Sequence, residues 1–260
     1  MPDQGPYADC TMLIFRRIFN FEKAKVEQLE KRQNQRYSPD PGFPLLARMH
    51  FAGRDYAAKI QDLSSTGIGL VVAHDPALVA GQHLHVEFTL GQHKLEIESR
   101  IAHLKPREDG VYLGLGLIFG EFERQKTYLQ LLQPVVIGQS LKPMVADPFI
   151  QDDPRYIKQV FIGEADSLLT VRLETKPGNP PHSFEFMMLD TFCRGIMRQG
   201  TAAPYAFESR EEAAARTGET IFETSGGLHE EVRQLFRWTL PNLSPAVPDP
   251  IRAFLQRFAA

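Results

Sequence analysis

The stretch from Pro44 to Phe119 constrains the fold of this 260-residue chain more than any other. Tyr56, Ala58 and Ile60 alternate with Ala57, Lys59 and Gln61, and Leu84, Val86, Phe88 and Leu90 alternate with His83, His85, Glu87 and Thr89. Leu95, Ile97 and Ile101 continue the pattern, as do Val111, Leu113, Leu115, Leu117 and Phe119. A period of two, repeated over segments separated by turns, predicts an antiparallel sandwich or barrel with one face of each strand on a core. One register can be read directly. If Gly91 and Gln92 form a two-residue hairpin loop with glycine first, Phe88 faces Leu95 and Val86 faces Ile97, apolar against apolar. Phe122, Leu129 and Leu132 then share one side of a helix placed to cap the barrel.

On either side the period changes. From about Asp9 to Glu30, Met12, Phe15, Phe19, Val26 and Leu29 keep one apolar stripe while Arg16, Glu22, Lys23, Glu27 and Glu30 occupy much of the rest, which predicts an amphipathic helix. Such a stripe packs on the protein's own body or on a second copy; a membrane-surface role is the alternative. From about Pro143 a proline-bearing linker leads to candidate strands at Tyr156–Glu164, Ser167–Thr175 and Ser183–Asp190. Helices follow: one opened by a Ser209/Glu212 capping box and ended at Gly218, one with Leu228, Val232, Leu235, Phe236 and Thr239 before Pro241, and a last one capped by Asp249 with Pro250 first. The expected organisation is an N-terminal helical segment at 1–30, a barrel domain at 31–141, and an α+β domain at 142–260.

Composition narrows function. A formal net charge of -3 lacks the concentrated basic surface that binding a nucleic-acid polymer requires, so any anion must be met locally. Cys10 and Cys193 form neither a disulfide framework nor a C-x-x-C pair. The only apolar N-terminal run, Met12 to Phe15, is too short for a signal-peptide core or a membrane span. A cytoplasmic location is expected.

The chemistry lies in two short motifs. Arg32 and Arg36 stand four apart at the exit of the first helix, which by itself suits a solvated helix end. Downstream, at the end of the Ile60 strand, Asp62 to Leu70 reads DLSSTGIGL, which by itself suits a turn. Together they suit a guanine nucleotide. A carboxylate offers two coplanar acceptors to the paired N–H donors of guanine's Watson–Crick edge. A guanidinium can fork onto O6 and N7, hold a phosphate, or stack on the base. Ser64 adds a hydroxyl, and Gly67 lets backbone approach a planar ligand.

R-x-x-x-R (Arg32, Arg36), D-x-S-x-x-G (Asp62, Ser64, Gly67) and short strands ending in Gly-x-Gly-Leu-Ile-Phe (Gly114 to Phe119) resemble the PilZ domain over about residues 31–140. The resemblance implies a mainly β fold, with a six-stranded antiparallel PilZ-like β-barrel behind an N-terminal helix and a C-terminal α+β domain. It implies a receptor for the bacterial second messenger cyclic di-GMP, with no cofactor, no metal and no catalysis. Arg32 and Arg36 would clamp guanines and phosphates from the segment before the barrel, while Asp62, Ser64 and Gly67 line the surface that receives a guanine. Lys31, before the first motif arginine, stands where family members differ in ways bearing on ligand stoichiometry. A protein partner of unknown identity and a second copy of the chain are the other candidate partners.

Three rival readings carry less. His83, His85 and, opposite His85, Glu98 offer three zinc ligands and no fourth. Glu223 to Glu231, ETSGGLHEE, lacks G-x-S-x-G and the second histidine of a zincin helix, and reads as a glycine loop entering a helix. A degenerate PilZ domain used for protein contacts alone would be expected to lose the arginines, and both are present.

Overall fold

The computed structural model describes residues 35–73, 75, 77–144, 153–189, 191–198, 200–209 and 229–259, with backbone alone at 203–209 and 229. The helix expected at Asp9–Glu30, Arg32, the segment following Ser209 and residues 223–228 lie outside the described residues. The chain divides between Leu132 and Gln133 into two compact units.

In the first unit six antiparallel strands close into a barrel: β1 (Leu45–Phe51), β2 (Arg54–Leu63), β3 (Gly67–Val72), β4 (His83–Leu90), β5 (His93–Arg107) and β6 (Gly110–Ile118). They follow the cyclic order β1-β2-β3-β6-β5-β4, and β1 against β4 closes the ring. The alternation explains the closure, because every strand has an apolar face to hide. Met49, Val86, Phe88, Ile97, Leu113, Ile68 and Leu70 are all 1% exposed or less. The hairpin register is the one expected, with Phe88 opposite Leu95 and Val86 opposite Ile97. Gly91, at φ 60°, takes the first position of its two-residue turn, where only glycine is unstrained. The helix α1 (Phe122–Ser140) begins in this unit. It caps the barrel with Leu129, Leu132 and above all Tyr128, whose ring centroid lies 5.6 Å from that of Phe88 and 5.5 Å from that of Phe119.

The second unit is a six-stranded antiparallel sheet with strands in sequence order: β7 (Lys142–Met144), β8 (Tyr156–Ile162), β9 (Leu168–Glu174), β10 (Pro181–Met188), β11 (Thr191–Arg198) and β12 (Thr201–Ser209). One face carries Phe161, Leu169, Val171, Phe184, Phe186 and Met188 into a core with Val232, Leu235 and Phe236 of α2 (His229–Thr239) and Ile251, Phe254 and Leu255 of α3 (Asp249–Gln256). Phe184 stacks on Phe236 at 5.5 Å and meets Phe258 edge-on at 5.0 Å. Three differences from expectation have local causes. Lys142–Met144, read as linker, forms the sheet's edge strand, where the missing N–H of Pro143 is tolerated. Ser209 ends β12 instead of capping a helix. The N-cap of α3 is Pro248, so Asp249 is its first residue.

Candidate functional site

Asp62 faces outward because β2 is irregular. Simple alternation would put it on the same face as Ile60, toward the core. Between Ile60, opposite Leu70, and Asp62, opposite Gly69, one extra residue of β2 breaks the register. Such a bulge re-aims every side chain beyond it. Asp62 therefore reaches the barrel surface while Leu63, now inward, is fully buried. The segment before the barrel is registered to the same place. Tyr37 and Leu63 exchange backbone hydrogen bonds, 2.8 Å each, as an isolated antiparallel bridge. Tyr37 points inward at 6% exposure, and its neighbour Arg36 stands on the outer side with Asp62.

Arg36 Nη1 donates to Asp62 Oδ1, and Tyr112 Oη donates to Asp62 Oδ2 at 3.1 Å. Asp62 is 18% exposed and Arg36 46%. The hydrogen bond to Asp62 raises the Arg36 pKa above its already high ordinary value. Burial first, and the Asp62 charge second, raise the Tyr112 pKa, so its phenol stays a donor at neutral pH. Each carboxylate oxygen has a further lone-pair direction beyond the one these donors use.

Ser64 and Gly67 form the turn between β2 and β3. The Ser64 N–H and hydroxyl both donate to Gly67 O, at 2.8 Å and 3.2 Å. The turn is held from below by Tyr128, whose hydroxyl donates to Ser64 O at 2.8 Å from full burial. Gly67 admits the Leu115 carbonyl, which would lie 3.0 Å from a Cβ, and Arg36 Nη2 would lie 3.9 Å from the same point. The structure thus brings Arg36, Asp62, Ser64 and Gly67 together; Arg32 falls outside the described residues.

Three contributors escape a reading by motif. Tyr112 stands fifty residues beyond Asp62, in a strand whose inward residues alone carry the apolar pattern. Tyr128 lies in a helix read for its apolar stripe. Gly69 is needed because a Cβ there would collide with Asp62 Oδ2 and lie 2.6 Å from Tyr112 Oη. Beside this cluster opens a cleft of about 600 Å³ lined by Arg36, His103, Lys105, Pro106, Arg107 and Tyr112. Metal chemistry finds no support in the histidine strand: among the described residues no three His, Cys, Asp or Glu side chains converge, and His83 Nδ1 sits 2.7 Å from Glu98 Oε1.

A closed six-stranded barrel with both halves of the two-part motif at one edge is what the sequence resemblance implied. Residues 30–133 match the family model of the PilZ domain. The PilZ match covers the whole barrel, the Arg36 segment and the first half of α1. Similar solved structures include the PilZ domain with c-di-GMP of YcgR from Escherichia coli, 16% identical, covering 37% of this chain and 85% of that chain at a TM-score of 0.33. Another is the Borreliella burgdorferi PlzA protein in complex with c-di-GMP, 11% identical, covering 80% of this chain and 98% of that chain at a TM-score of 0.34. No curated protein matches the chain. Among the described residues no helix is long and apolar enough to cross a membrane.

Proposed function

We propose that the chain is a receptor for cyclic di-GMP, without catalytic activity, in which Arg32, Arg36, Asp62, Ser64 and Gly67 hold the ligand. The observation that carries the reading is the convergence of Arg36 with Asp62, 26 residues apart in sequence, beside Ser64 and Gly67 on a barrel that matches the PilZ domain. The Asp62 carboxylate, oriented by Arg36 and Tyr112, keeps acceptor capacity for the two donors of a guanine edge. Arg36 lines the adjacent cleft and so reaches base and phosphate alike. Ligand bridging Arg32, Arg36 and Asp62 pins the segment that leads into the barrel, and this ordering changes what the residues before it present to a protein partner or a second copy. The ligand drives that change only through its differential affinity for the two arrangements. Residues 142–260 form the output domain of this cytoplasmic receptor, with their partner still to be identified.

Calorimetric titration with cyclic di-GMP and cyclic di-AMP tests the reading. Cyclic di-GMP binds, and cyclic di-AMP binds roughly four orders of magnitude more weakly, because an adenine edge leaves Asp62 mispaired. Arg36→Ala and Arg32→Ala abolish measurable binding, each removing charge-assisted bonds worth about 1.5 to 3 kcal/mol. Equal affinity for the two nucleotides, or none for cyclic di-GMP, overturns the assignment; the second result would leave a barrel used for protein contacts alone. Hydrogen exchange reads the ordering separately: residues 22–40 gain protection with ligand, and protection confined to 62–67 removes the switching role.

A further inference from the structure

β5 carries a second irregularity that mirrors the one before Asp62. Between Ile101, opposite Leu115, and His103, opposite Gly114, the register shifts. Without it His103 would share the inward face of Ile101, which is 1% exposed. With it His103, Lys105 and Arg107 stand at alternate positions on the outside of the barrel, all exposed. The two re-aimed residues share a single cross-strand row. Asp62 pairs with Gly69, Gly69 with Gly114, and Gly114 with His103. The middle of that row has no side chains of its own. Asp62 and Tyr112 cover Gly69, and the His103 imidazole covers Gly114, its Nε2 and Nδ1 lying 2.6 Å and 2.7 Å from where a Cβ would be.

The surface next to the Asp62 cluster is therefore a low floor made of two rings. The His103 and Tyr112 ring centroids are 5.7 Å apart with their planes inclined by 32°. Along one edge of this floor run Lys105, paired in register with Tyr112, and Arg107. Arg107 Nε donates to Asp109 Oδ1 at 3.1 Å, leaving the ends of its guanidinium uncommitted in that bond, and among the described residues no ion pair involves Lys105. Flat π surfaces bordered by cations are what a purine base with an attached phosphate demands, through stacking and charge-assisted hydrogen bonds. A cross-strand row kept low by two glycines also gives a planar ligand access to both rings.

We infer that His103, Lys105, Arg107 and Tyr112 form the part of the site that takes the half of the ligand not held by Asp62: a purine base stacks on the His103–Tyr112 floor, and Lys105 and Arg107 meet the phosphate. The inference rests on the receptor reading above and adds residues that neither arginine nor aspartate motif contains. It makes binding at this face dependent on ring area and on cations of β5 as well as on Arg36.

The test is titration of the full chain with cyclic di-GMP at two salt concentrations. His103→Ala weakens binding about tenfold, as loss of one stacking surface should, while His103→Phe, which keeps the ring and loses the nitrogens, stays within about threefold of wild type. Lys105→Ala and Arg107→Ala each weaken binding about tenfold and reduce its salt dependence, as loss of a phosphate contact should. In the wild-type chain the His103 ring protons, identified by their absence in His103→Phe, shift upfield on saturation, a readout that survives any misfolding of the variants. Unmoved ring protons, or wild-type affinity in both His103→Ala and the Lys105→Ala/Arg107→Ala double variant while Arg36→Ala fails to bind, overturn this inference and leave the receptor reading intact. Absence of binding to the wild-type chain overturns both.

Discussion

Gly69→Ala separates the placement of Asp62 from the stability of the barrel. Gly69 sits on the outer face of β3 with an ordinary strand conformation, so alanine brings no backbone strain. Its Cβ would overlap Asp62 Oδ2 and lie 2.6 Å from Tyr112 Oη and 2.9 Å from Asp62 Cγ. All three atoms are ends of side chains, so the carboxylate and phenol swing aside and the strands stay. The stability terms nearly cancel. A part-exposed ion pair contributes about 0 to 1 kcal/mol, the Tyr112 bond about 1 kcal/mol, and replacing glycine returns about 0.4 to 1 kcal/mol through the unfolded chain. The net loss is about 1 kcal/mol, a shift of a few degrees in Tm for a domain of this size. Binding behaves differently. A displaced carboxylate forfeits its hydrogen bonds to the guanine edge, each worth about 1.5 to 3 kcal/mol, so affinity falls by at least about tenfold. Calorimetric titration beside a thermal melt, with Asp62→Ala as comparator, reads both quantities. Wild-type affinity in Gly69→Ala would refute the reasoning that this glycine fixes the carboxylate for the ligand. A loss of more than about 10 °C would show that backbone, not side chains, gives way.

Two further outcomes follow from the buried phenols. Tyr128→Phe leaves the Ser64 carbonyl without its 2.8 Å donor at a fully buried site, lowering stability by about 1 to 3 kcal/mol in denaturant unfolding. It also weakens ligand binding although Tyr128 never touches ligand, and undiminished affinity would mean the turn holds its own shape. Burial raises the Tyr128 and Tyr112 pKa values above the ordinary 10, so their contribution to stability is fully present below about pH 10 and is lost as pH rises through the folded-state values. Urea midpoints should therefore fall steadily above about pH 10, less so in Tyr128→Phe, and identical alkaline profiles for the two proteins would contradict the assignment.

What the sequence by itself determined is whatever depends on periodicity and on neighbours in the chain. The alternation around Val86, Phe88, Leu95 and Ile97, with Gly91 in the turn, was enough to specify the β4–β5 register, because a slip of one residue would expose every apolar side chain of the strand. The spacing of Asp62, Ser64 and Gly67 was legible for the same reason: a turn is local. β11 was not legible. Its core face is Thr191, Cys193 and Gly195, small residues that make room for neighbouring rings, with Phe184 Cε1 within 2.5 Å and Phe258 Cδ1 within 2.6 Å of where a Gly195 Cβ would stand. Phe192 and Ile196 sit on the other face, so the hydrophobic pattern carries the wrong sign. Tertiary structure alone decided the composition of the site. Alternation read through Ile60 and Ile101 would send Asp62 and His103 inward, and only bulges, which exist in the pairing of two strands and not in either sequence, turn them onto one glycine-floored row beside Tyr112. The bulge is a relation between chain segments distant in sequence, and so is the site it builds.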